Sequence, residues 1–311
     1  MRYYPEPQTD LDIHEITAAV ESAFAEHGRG NVQMPPKVYI TFPAGDFRTM
    51  PAYIPSAKIA GIKCVNVHPS NPAIGLPTVM ALTIILDIDT GLPKAILNAT
   101  GLTDLRTGAA GAIACKYLSR RKSVTVGLVG TGRQAAAQLR AISRELEVTS
   151  VRVWSRTDES AKKFVAGFPG FDCRAGSLPF TCDSDIIVTT TPSRKPVILD
   201  AWVHDGTHIN AIGADAPGKQ ELDPAILSRA MVIVDDPAQA IHSGEVNVPI
   251  STGQYDASEI AGTLGEVVLG LKKRSGPGQV TVFDSTGLAI QDLAIAAIAM
   301  EHGKYTELPF P

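Results

Sequence analysis

A short glycine-rich segment carries the clearest chemical signal in this chain. Gly130, Gly132 and Ala135 follow a β-branched run at G-x-G-x-x-A spacing, and helix-forming residues come next, over 134–139. The first glycine permits the tight turn, the second lets a pyrophosphate approach the backbone, and the small third residue lets the helix pack on the strand. The helix N-terminus offers N–H groups and a positive dipole end to phosphate. With a second strand at 151–154, the spacing predicts a dinucleotide-binding site.

The end of that second strand bears on which dinucleotide binds. NAD sites usually place Asp or Glu there to accept a hydrogen bond from the ribose 2′-OH. Here Ser155, Arg156 and Thr157 take that place, and a guanidinium with two hydroxyls suits a 2′-phosphate. We therefore expect an NAD(P) cofactor, with NADP(H) favoured over NAD(H). In the alternative interpretation Arg156 is a solvated surface residue, Asp158 opposes a 2′-phosphate, and NAD is used.

Four other charged residues are candidates for chemistry, and each also has an ordinary explanation. Lys63 lies in an apolar strand, either at a sheet edge with its amine in solvent or in a cleft where burial lowers its pKa and suits imine chemistry. Arg48 could clamp a carboxylate, or be an exposed arginine near a turn. Arg106 could bind a phosphate or carboxylate, or pair with Asp104. Asp215 follows an apolar strand, where it could act as an acid or base, or cap the loop.

Several other classes of chemistry lack support in the sequence. The seven histidines show no H-E-x-x-H pattern and the four cysteines no C-x-x-C pair, so we expect no metal site and reduced thiols. The net charge of −4 argues against a nucleic-acid partner. No apolar run reaches membrane-spanning length, and the first twelve residues lack the layout of a signal peptide, so we expect a cytoplasmic protein.

The pattern of elements predicts an α/β protein with two domains. An amphipathic helix at 12–27 precedes strand-like segments at 38–42, 49–54, 59–67, 79–86 and 94–98, whose separators favour antiparallel pairing. After a helix at 102–118, strands and helices alternate, as in a doubly wound parallel (Rossmann) sheet whose last strand is 280–283. The helix at 287–302 is expected to return to the first domain. We predict a dinucleotide-binding domain at 119–284, inserted in a discontinuous α+β domain formed by 1–118 and 285–311.

Taken together, seven ordered motifs resemble the ornithine cyclodeaminase and μ-crystallin family over essentially the whole chain. The motifs are Gly61-Ile-Lys-Cys-Val-Asn-Val-His-Pro, Gly75-Leu-Pro-Thr-Val-Met-Ala, Leu105-Arg-Thr-Gly-Ala-Ala, Gly130-Thr-Gly-Arg-Gln-Ala, Asn210-Ala-Ile-Gly-Ala-Asp, Pro217-Gly-Lys-Gln-Glu-Leu-Asp and Phe283-Asp-Ser-Thr-Gly. Members include ornithine cyclodeaminases, archaeal-type alanine dehydrogenases, ketimine reductases and hormone-binding μ-crystallins. The resemblance implies a homodimer, with the discontinuous domain serving substrate binding and dimerisation.

The resemblance also implies roles for particular residues. Lys63 would be the catalytic lysine, and Asp215 matches the acidic residue that acts on substrate in the cyclodeaminases. A further set would lie around the cofactor: Thr78, Arg106, Arg133, Gln134, Thr191, Ile212, Gly213, Lys219 and Ser285.

Two features of the sequence help to distinguish among the members of this family. The cyclodeaminases, as we align them, have a glutamate where this chain has Arg48, and an arginine suits a small amino or keto acid. The stretches Pro35-Pro-Lys-Val-Tyr and Gly45-Asp-Phe-Arg-Thr-Met-Pro-Ala-Tyr are more similar to the archaeal-type alanine dehydrogenases. Ser155-Arg156, in contrast, is similar to the NADPH-binding μ-crystallins and ketimine reductases.

We therefore predict an enzyme that interconverts L-alanine with pyruvate and ammonia through an imine, with hydride transfer to nicotinamide. Arg48, helped by Lys37, would hold the substrate carboxylate, Lys63 would act on the carbonyl or imine, and Asp215 would assist proton transfer. The alternatives are an NADPH-dependent cyclic ketimine reductase, an ornithine cyclodeaminase with bound NAD, and a non-enzymatic NADPH- and hormone-binding protein.

Overall fold

The computed structural model describes residues 1–9 and 11–310, and the chain forms two compact units. The first unit consists of Met1–Arg106 and Leu288–Pro311, and the second of Thr107–Gly287. The division falls inside a helix rather than at its end, where we predicted the first domain boundary. The assignment of substrate binding to one unit and of the dinucleotide to the other remains a prediction.

The elements follow one another along the chain in three blocks. The first block is β1 (Arg2–Tyr4), α1 (Ile13–Gly28), β2 (Val38–Phe42), β3 (Gly45–Ile54), β4 (Ile59–Val67), β5 (Val79–Leu86), β6 (Pro93–Asn98) and α2 (Thr100–Leu118). The second is β7 (Ser123–Val129), α3 (Arg133–Glu145), β8 (Glu147–Trp154), α4 (Asp158–Ala166), β9 (Cys173–Ala175), α5 (Leu178–Cys182), β10 (Ile186–Thr189), β11 (Arg194–Ile198), β12 (His208–Ala211), β13 (Gln220–Leu222), α6 (Pro224–Arg229), β14 (Met231–Val234), α7 (Pro237–Ser243), α8 (Asn247–Ser251), β15 (Gly262–Thr263), α9 (Leu264–Val268) and β16 (Thr281–Asp284). The third is α10 (Ala289–His302) and β17 (Thr306–Glu307), and short 3₁₀ turns lie at Asn71–Ile74, Asp200–Trp202 and Ala257–Glu259.

A seven-stranded sheet organises the first unit, in the order β17-β1-β6-β5-β4-β3-β2. The strands from β2 to β6 pair antiparallel, as predicted, whereas β1, which the sequence did not reveal, pairs parallel with β6. Along β4, buried and half-buried residues alternate, so one face of the strand is covered. The helix α10 packs on this part of the sheet and on α1, which confirms that the last helix returns to the first domain.

One position of β4, between β5 and α10, has no room for a side chain. A Cβ atom added at Gly61 would lie 2.3 Å from the carbonyl oxygen of Ile84 and 3.1 Å from a methyl group of Leu293. Residues two positions apart on a strand face the same side, so Gly61 and Lys63 share the covered face. The strand therefore presents a lysine amine beneath a packed helix.

An eight-stranded sheet organises the second unit, and every strand pair in it is parallel. The order is β15-β14-β16-β12-β10-β7-β8-β9, which confirms the predicted doubly wound sheet. Each residue of β10, β12, β14 and β16 is buried, as expected for strands with both faces covered. The predicted last strand, β16, is the last of this sheet along the chain, but it lies inside the sheet between β12 and β14.

The strand order locates the point where ligands bind in such sheets. After β7 the chain runs outward through β8 and β9, and it then crosses to the other side of β7 to form β10. The carboxyl ends of β7 and β10 therefore flank a topological switch point, which is where open α/β sheets hold their ligands. Among the described residues, no helix has both the length and the apolar character needed to cross a membrane.

Candidate active site

Lys63 lies at the centre of a buried polar cluster in the first unit. Its strand, β4, pairs with β3 and β5, so the interpretation of Lys63 as an edge-strand residue was wrong. The side chain is 1% exposed, and Nζ donates to Oδ1 of Asp292 on α10 over 2.7 Å. Burial lowers the pKa of Lys63 to about 8, although Asp292 opposes the change. A proton on this amine is therefore exchangeable near neutral pH.

Arg106 binds the same carboxylate oxygen as Lys63. Its Nε donates to Oδ1 of Asp292 over 3.1 Å, and its Nη1 donates to Oε1 of Gln291 over 2.8 Å. The sequence placed Arg106 near a phosphate, a carboxylate or Asp104, and it did not identify Asp292 or Gln291. Both residues come from α10, far along the chain. The available signal was a polar Gln-Asp pair inside an otherwise apolar helix.

Arg48 lies on the covered face of the same sheet, although we considered that it could be an exposed residue near a turn. It is 5% exposed, and it pairs across the strands with Val65, two residues from Lys63, so Arg48 and Lys63 are diagonal neighbours roughly 7–8 Å apart. Its guanidinium binds Asp46 through Nε and Nη2, over 2.7 and 3.1 Å, and lies 5.3 Å from the Tyr39 ring centre. The side chain is thus held in one orientation.

The other two predicted residues of the first unit lie near the strand ends. Lys37 directly precedes β2 and is half-buried, and its positive charge contributes to the lowered pKa of Lys63. Thr78 directly precedes β5, and its carbonyl accepts a hydrogen bond from the backbone N–H of His68. The first unit thus gathers three predicted residues, Arg48, Lys63 and Arg106, on or against one sheet face.

The glycine-rich segment lies at the switch point of the parallel sheet. The N–H of Gly130 donates to the carbonyl of Trp154, at the end of β8, and the N–H of Thr190 donates to the carbonyl of Val129. Gly130 has φ +116°, and a Cβ there would lie 2.5 Å from Oγ1 of Thr190, so only glycine fits without strain. Around Gly132, the N-cap of α3, an added Cβ would meet nothing within 4 Å.

These features fit a bound pyrophosphate. The N-cap residue of α3 is a glycine, which has no side chain to cap the helix, and the space beside its Cα is open, so a phosphate can approach the first turn of the helix. Arg133 and Gln134 are the first two residues of that turn. The predicted pyrophosphate-binding segment therefore lies at the switch point.

The segment after β8 contains the residues predicted to select the dinucleotide. Oγ1 of Thr131 donates to Oγ of Ser155 over 3.1 Å, which ties the glycine segment to the strand end. Arg156 is exposed. Thr157 is the N-cap of α4, and its hydroxyl accepts from the N–H of Ser160, so this hydroxyl has a structural role as well.

Glu221, which the sequence analysis missed, holds together two segments predicted to contact the cofactor. Its carboxylate is buried and accepts hydrogen bonds from Oγ1 of Thr189, the N–H of Thr191 and the N–H of Gly213. Burial raises its pKa, although these donors oppose the change. Glu221 therefore joins the ends of β10 and β12 beside the switch point. Because β13 is only three residues long and reads Gln-Glu-Leu, no local signal in the sequence indicated a buried carboxylate here.

The remaining predicted residues lie at the same strand ends. The N–H of Ile212 donates to the carbonyl of Thr189, and the N–H of Ser285 donates to that of Ala211. In the loop after β12, Nζ of Lys219 forms an ion pair with Asp215 and also donates to the carbonyl of Gly213. The structure thus pairs the predicted proton-transfer residue with a predicted cofactor residue.

Comparisons with known proteins cover nearly the full chain. The sequence profile of the Ornithine cyclodeaminase/mu-crystallin family matches residues 4–306. The alanine dehydrogenase of Archaeoglobus fulgidus is 49% identical over 300 residues, which cover 96% of this chain and 92% of that protein. A solved archaeal alanine dehydrogenase dimer with bound NAD superposes with a TM-score of 0.94 and 45% identity over 99% of both chains.

A third similar protein has a different activity. The structure of Thermococcus litoralis Δ(1)-pyrroline-2-carboxylate reductase in complex with NADH and L-proline superposes with a TM-score of 0.95 and 31% identity, and covers 99% of this chain and 100% of that chain. These matches confirm the resemblance that the seven sequence motifs indicated.

Proposed function

The chain belongs to the ornithine cyclodeaminase/mu-crystallin family, and on this basis we propose that it is an NAD(P)-dependent amino-acid dehydrogenase acting on L-alanine. L-Alanine, water and the oxidised cofactor would give pyruvate, ammonium, the reduced cofactor and a proton. The nicotinamide supplies the hydride acceptor when bound. The protein supplies orientation, charge and proton transfer.

One observation carries this proposal: the buried amine of Lys63 has a pKa of about 8 and lies on the same sheet face as a buried arginine. An amine that exchanges its proton near neutral pH can protonate an imine or carbonyl and take the proton back. A purely ligand-binding protein does not need a lysine in this state, since a buried amine costs free energy that a leucine would not.

The other predicted residues support the same chemistry. Arg48, with its guanidinium oriented by Asp46, binds the substrate carboxylate, and Lys37 adds positive charge. Lys63 moves a proton at the substrate oxygen or nitrogen. Asp215 assists the transfer of protons to water or ammonia, and its carboxylate forms an ion pair with Lys219.

The cofactor preference is proposed from the end of β8. Ser155 and Arg156 supply no carboxylate against a 2′-phosphate, and the exposed guanidinium can bind one, which supports NADP(H). A Ser155→Asp variant tests this. The ratio of kcat/KM with NADPH to that with NADH should fall at least tenfold, which corresponds to about 1.4 kcal/mol. A ratio that does not change would contradict the preference.

A homodimer is proposed from the face of the first unit's sheet that the helices leave open. In register across four strands, Val38, Thr49, Cys64 and Leu82 lie on the face opposite Lys63, and both Val38 and Leu82 are exposed. Ile40 and Phe42 extend the same exposed row along β2. Exposed apolar rows of this kind are typical of subunit interfaces. A cytoplasmic location also remains a proposal, supported by four cysteines that are all free.

A second candidate function is the reduction of a cyclic imine that carries a carboxylate. The similarity to the Δ(1)-pyrroline-2-carboxylate reductase favours it, because Arg48 and Lys63 suit a carboxylate beside a C=N bond in either substrate. The two functions differ in whether free ammonia is consumed.

The test is the oxidation of reduced nicotinamide, followed by absorbance with purified protein. Pyruvate plus ammonia is compared with Δ(1)-pyrroline-2-carboxylate, and each is tested with NADH and NADPH. Ammonia-dependent oxidation with pyruvate supports the alanine dehydrogenase. Oxidation with the cyclic imine alone supports the second candidate, and no oxidation with either would reject both. A Lys63→Met variant should lower the rate at least 100-fold if Lys63 moves the proton.

A further inference from the structure

Two cationic side chains of the first unit share one buried carboxylate oxygen. Lys63 on β4 and Arg106 on α2 both donate to Oδ1 of Asp292 on α10, over 2.7 and 3.1 Å. The three side chains are 1%, 7% and 3% exposed, respectively. Oδ2 of Asp292 is also buried and has no hydrogen-bond partner within the described part of the chain. The two cations therefore compete for one acceptor.

The charges in this cluster do not balance when both cations are protonated. One carboxylate faces an ammonium and a guanidinium, which leaves one buried positive charge. Burying an unpaired charge is costly, and proteins avoid it by changing the protonation state. A guanidinium keeps its proton at any ordinary pH, so the amine is the group that gives one up.

We propose that Asp292 and Arg106 are positioning residues for Lys63. Asp292 fixes the position of the amine through Oδ1. Arg106 binds the same oxygen, so the carboxylate cannot fully neutralise the charge of the Lys63 ammonium. The catalytic meaning of this arrangement rests on the proposed function. The effect of Arg106 and Asp292 on the protonation of Lys63 does not depend on which reaction the protein catalyses.

The surroundings of Lys63 offer no other acid bound to it among the described residues. On β3 the residue opposite is Met50, and the charged residues there, Asp46 and Arg48, bind each other. On β5 the residue opposite is Thr83, and that strand has no charged side chain. Lys37 acts from the segment before β2 as a second positive charge that lowers the pKa of Lys63.

The other charged residues of α10 lie at its far end. Glu301 and His302 are both exposed there, where His302 contacts Glu15. Asp292 is thus the carboxylate of α10 that reaches Lys63. Of the groups that act on the lysine, Asp292 raises its pKa, whereas burial, Arg106 and Lys37 lower it.

The proposal predicts opposite effects of two substitutions. Asp292→Asn removes the negative charge and should lower the pKa of Lys63, since the ammonium loses its partner. Arg106→Gln removes the competing cation and should raise it. Each change should alter the proton affinity of Lys63 tenfold or more. A residue with only a structural role would not shift the titration in a direction set by its charge.

The experiment is a pH titration of Lys63 by NMR, on full-length protein with ¹³C- and ¹⁵N-labelled lysine side chains and no substrate or cofactor. A Lys63→Met variant identifies the signal. Arg106→Lys restores a cation and should return the midpoint toward that of the unsubstituted protein. Arg121→Gln, which removes an exposed arginine, is the control and should leave the midpoint unchanged.

Shifts in opposite directions for Asp292→Asn and Arg106→Gln would establish the proposal. Shifts in the same direction, or none, would overturn it. If Asp292→Asn does not fold, the comparison of Arg106→Gln with Arg106→Lys is sufficient to test the proposal. An equal titration midpoint of Lys63 in these two variants would refute the competition between the two cations for Asp292.

The pH profile of kcat/KM separates this proposal from the proposed function. If the protein is active, the profile should move with the NMR midpoint in each variant. If the NMR shifts occur but neither pyruvate plus ammonia nor the cyclic imine is reduced, the proposed function fails while the positioning of Lys63 stands. If activity is present and the NMR midpoints do not move, the positioning proposal fails alone.

Discussion

Asp284, at the carboxyl end of β16, makes the stability of the second unit depend on pH in an unusual direction. Its side chain is fully buried, and Oδ2 accepts from the N–H of Val246 over 3.2 Å. Burial raises its pKa to about 8, and the nearby charge of Asp235 acts in the same direction. The folded protein therefore holds this carboxyl protonated at pH 7, which an unfolded chain does not.

The sign and size of the effect follow from proton linkage. In the unfolded chain an aspartate has its ordinary pKa of 3.8, so between pH 6.5 and 8 only the folded state carries the proton. Through this one group the free energy of unfolding falls as pH rises, by about 1.4 kcal/mol per pH unit at first and by roughly 1.6 kcal/mol across the window.

Two other groups oppose the effect, mainly outside this window, and a third adds to it. Below pH 6.5, His208, whose pKa burial lowers to about 3, makes stability rise with pH. Above pH 8, Lys63 does the same, because its folded pKa of about 8 lies below its ordinary value. The buried Glu245, with a raised pKa, adds to the effect of Asp284.

Urea-induced unfolding at pH 6.5 and pH 8.0 measures this dependence, and an Asp284→Asn variant isolates the contribution of one group. Both tryptophans, Trp154 and Trp202, lie in the second unit, so their fluorescence reports the unfolding of the unit that contains Asp284. Between the two pH values the variant should lose about 1.6 kcal/mol less stability than the unsubstituted protein. An identical loss in both would show that Asp284 is ionised in the folded state and would refute the argument.

Three further predictions concern the glycine-rich segment, Glu221 and Arg48. Gly130→Ala should lower the free energy of unfolding by about 1–3 kcal/mol because Gly130 has a positive φ, whereas Gly132→Ala should leave it unchanged and raise the Kd for NAD(P)H at least tenfold. Urea unfolding measures the first effect and fluorescence titration the second, and equal losses of stability in the two variants would contradict this prediction. Glu221→Gln should lower the free energy of unfolding by about 1–3 kcal/mol, measured by urea unfolding with tryptophan fluorescence, because one amide oxygen cannot accept from both Thr191 and Gly213. An unchanged stability would show that the carboxylate is dispensable. Arg48→Lys should raise KM for pyruvate about tenfold with a smaller effect on kcat, because lysine cannot bind a carboxylate bidentately; an unchanged KM would remove Arg48 from substrate binding.

Local patterns were sufficient to predict the elements that carry the cofactor segment. The glycine spacing, the β-branched run before it and the alternation after it all express contacts between neighbouring residues, so the parallel sheet and the turn at Gly130 were predictable. The strand order was not, because the position of β16 between β12 and β14 depends on packing across the whole sheet. Strands of two or three residues, such as β1, β15 and β17, are too short to leave a periodic pattern.

The partners of the chemical groups were less predictable than the groups themselves. Lys63 was identified from its apolar strand, yet its bond to Asp292 joins residues 229 positions apart. Glu221 likewise serves donors about 30 positions earlier in the chain. A single sequence contains no local signal for such pairs. Only a charged residue in an apolar run indicates that a distant partner exists.

The return of α10 to the first unit sets an order in which the protein can mature on the ribosome. Residues of the second unit emerge in one continuous stretch, whereas the first unit needs Leu288–Pro311, which is synthesised after that stretch. Until α10 emerges, β4 lacks both the helix that covers its face and the carboxylate that binds Lys63. Premature termination before Leu288 would therefore leave an apolar sheet face exposed, a state that chaperones and proteases recognise. The partner of the lysine is thus supplied by a helix that the ribosome adds only after the whole second unit.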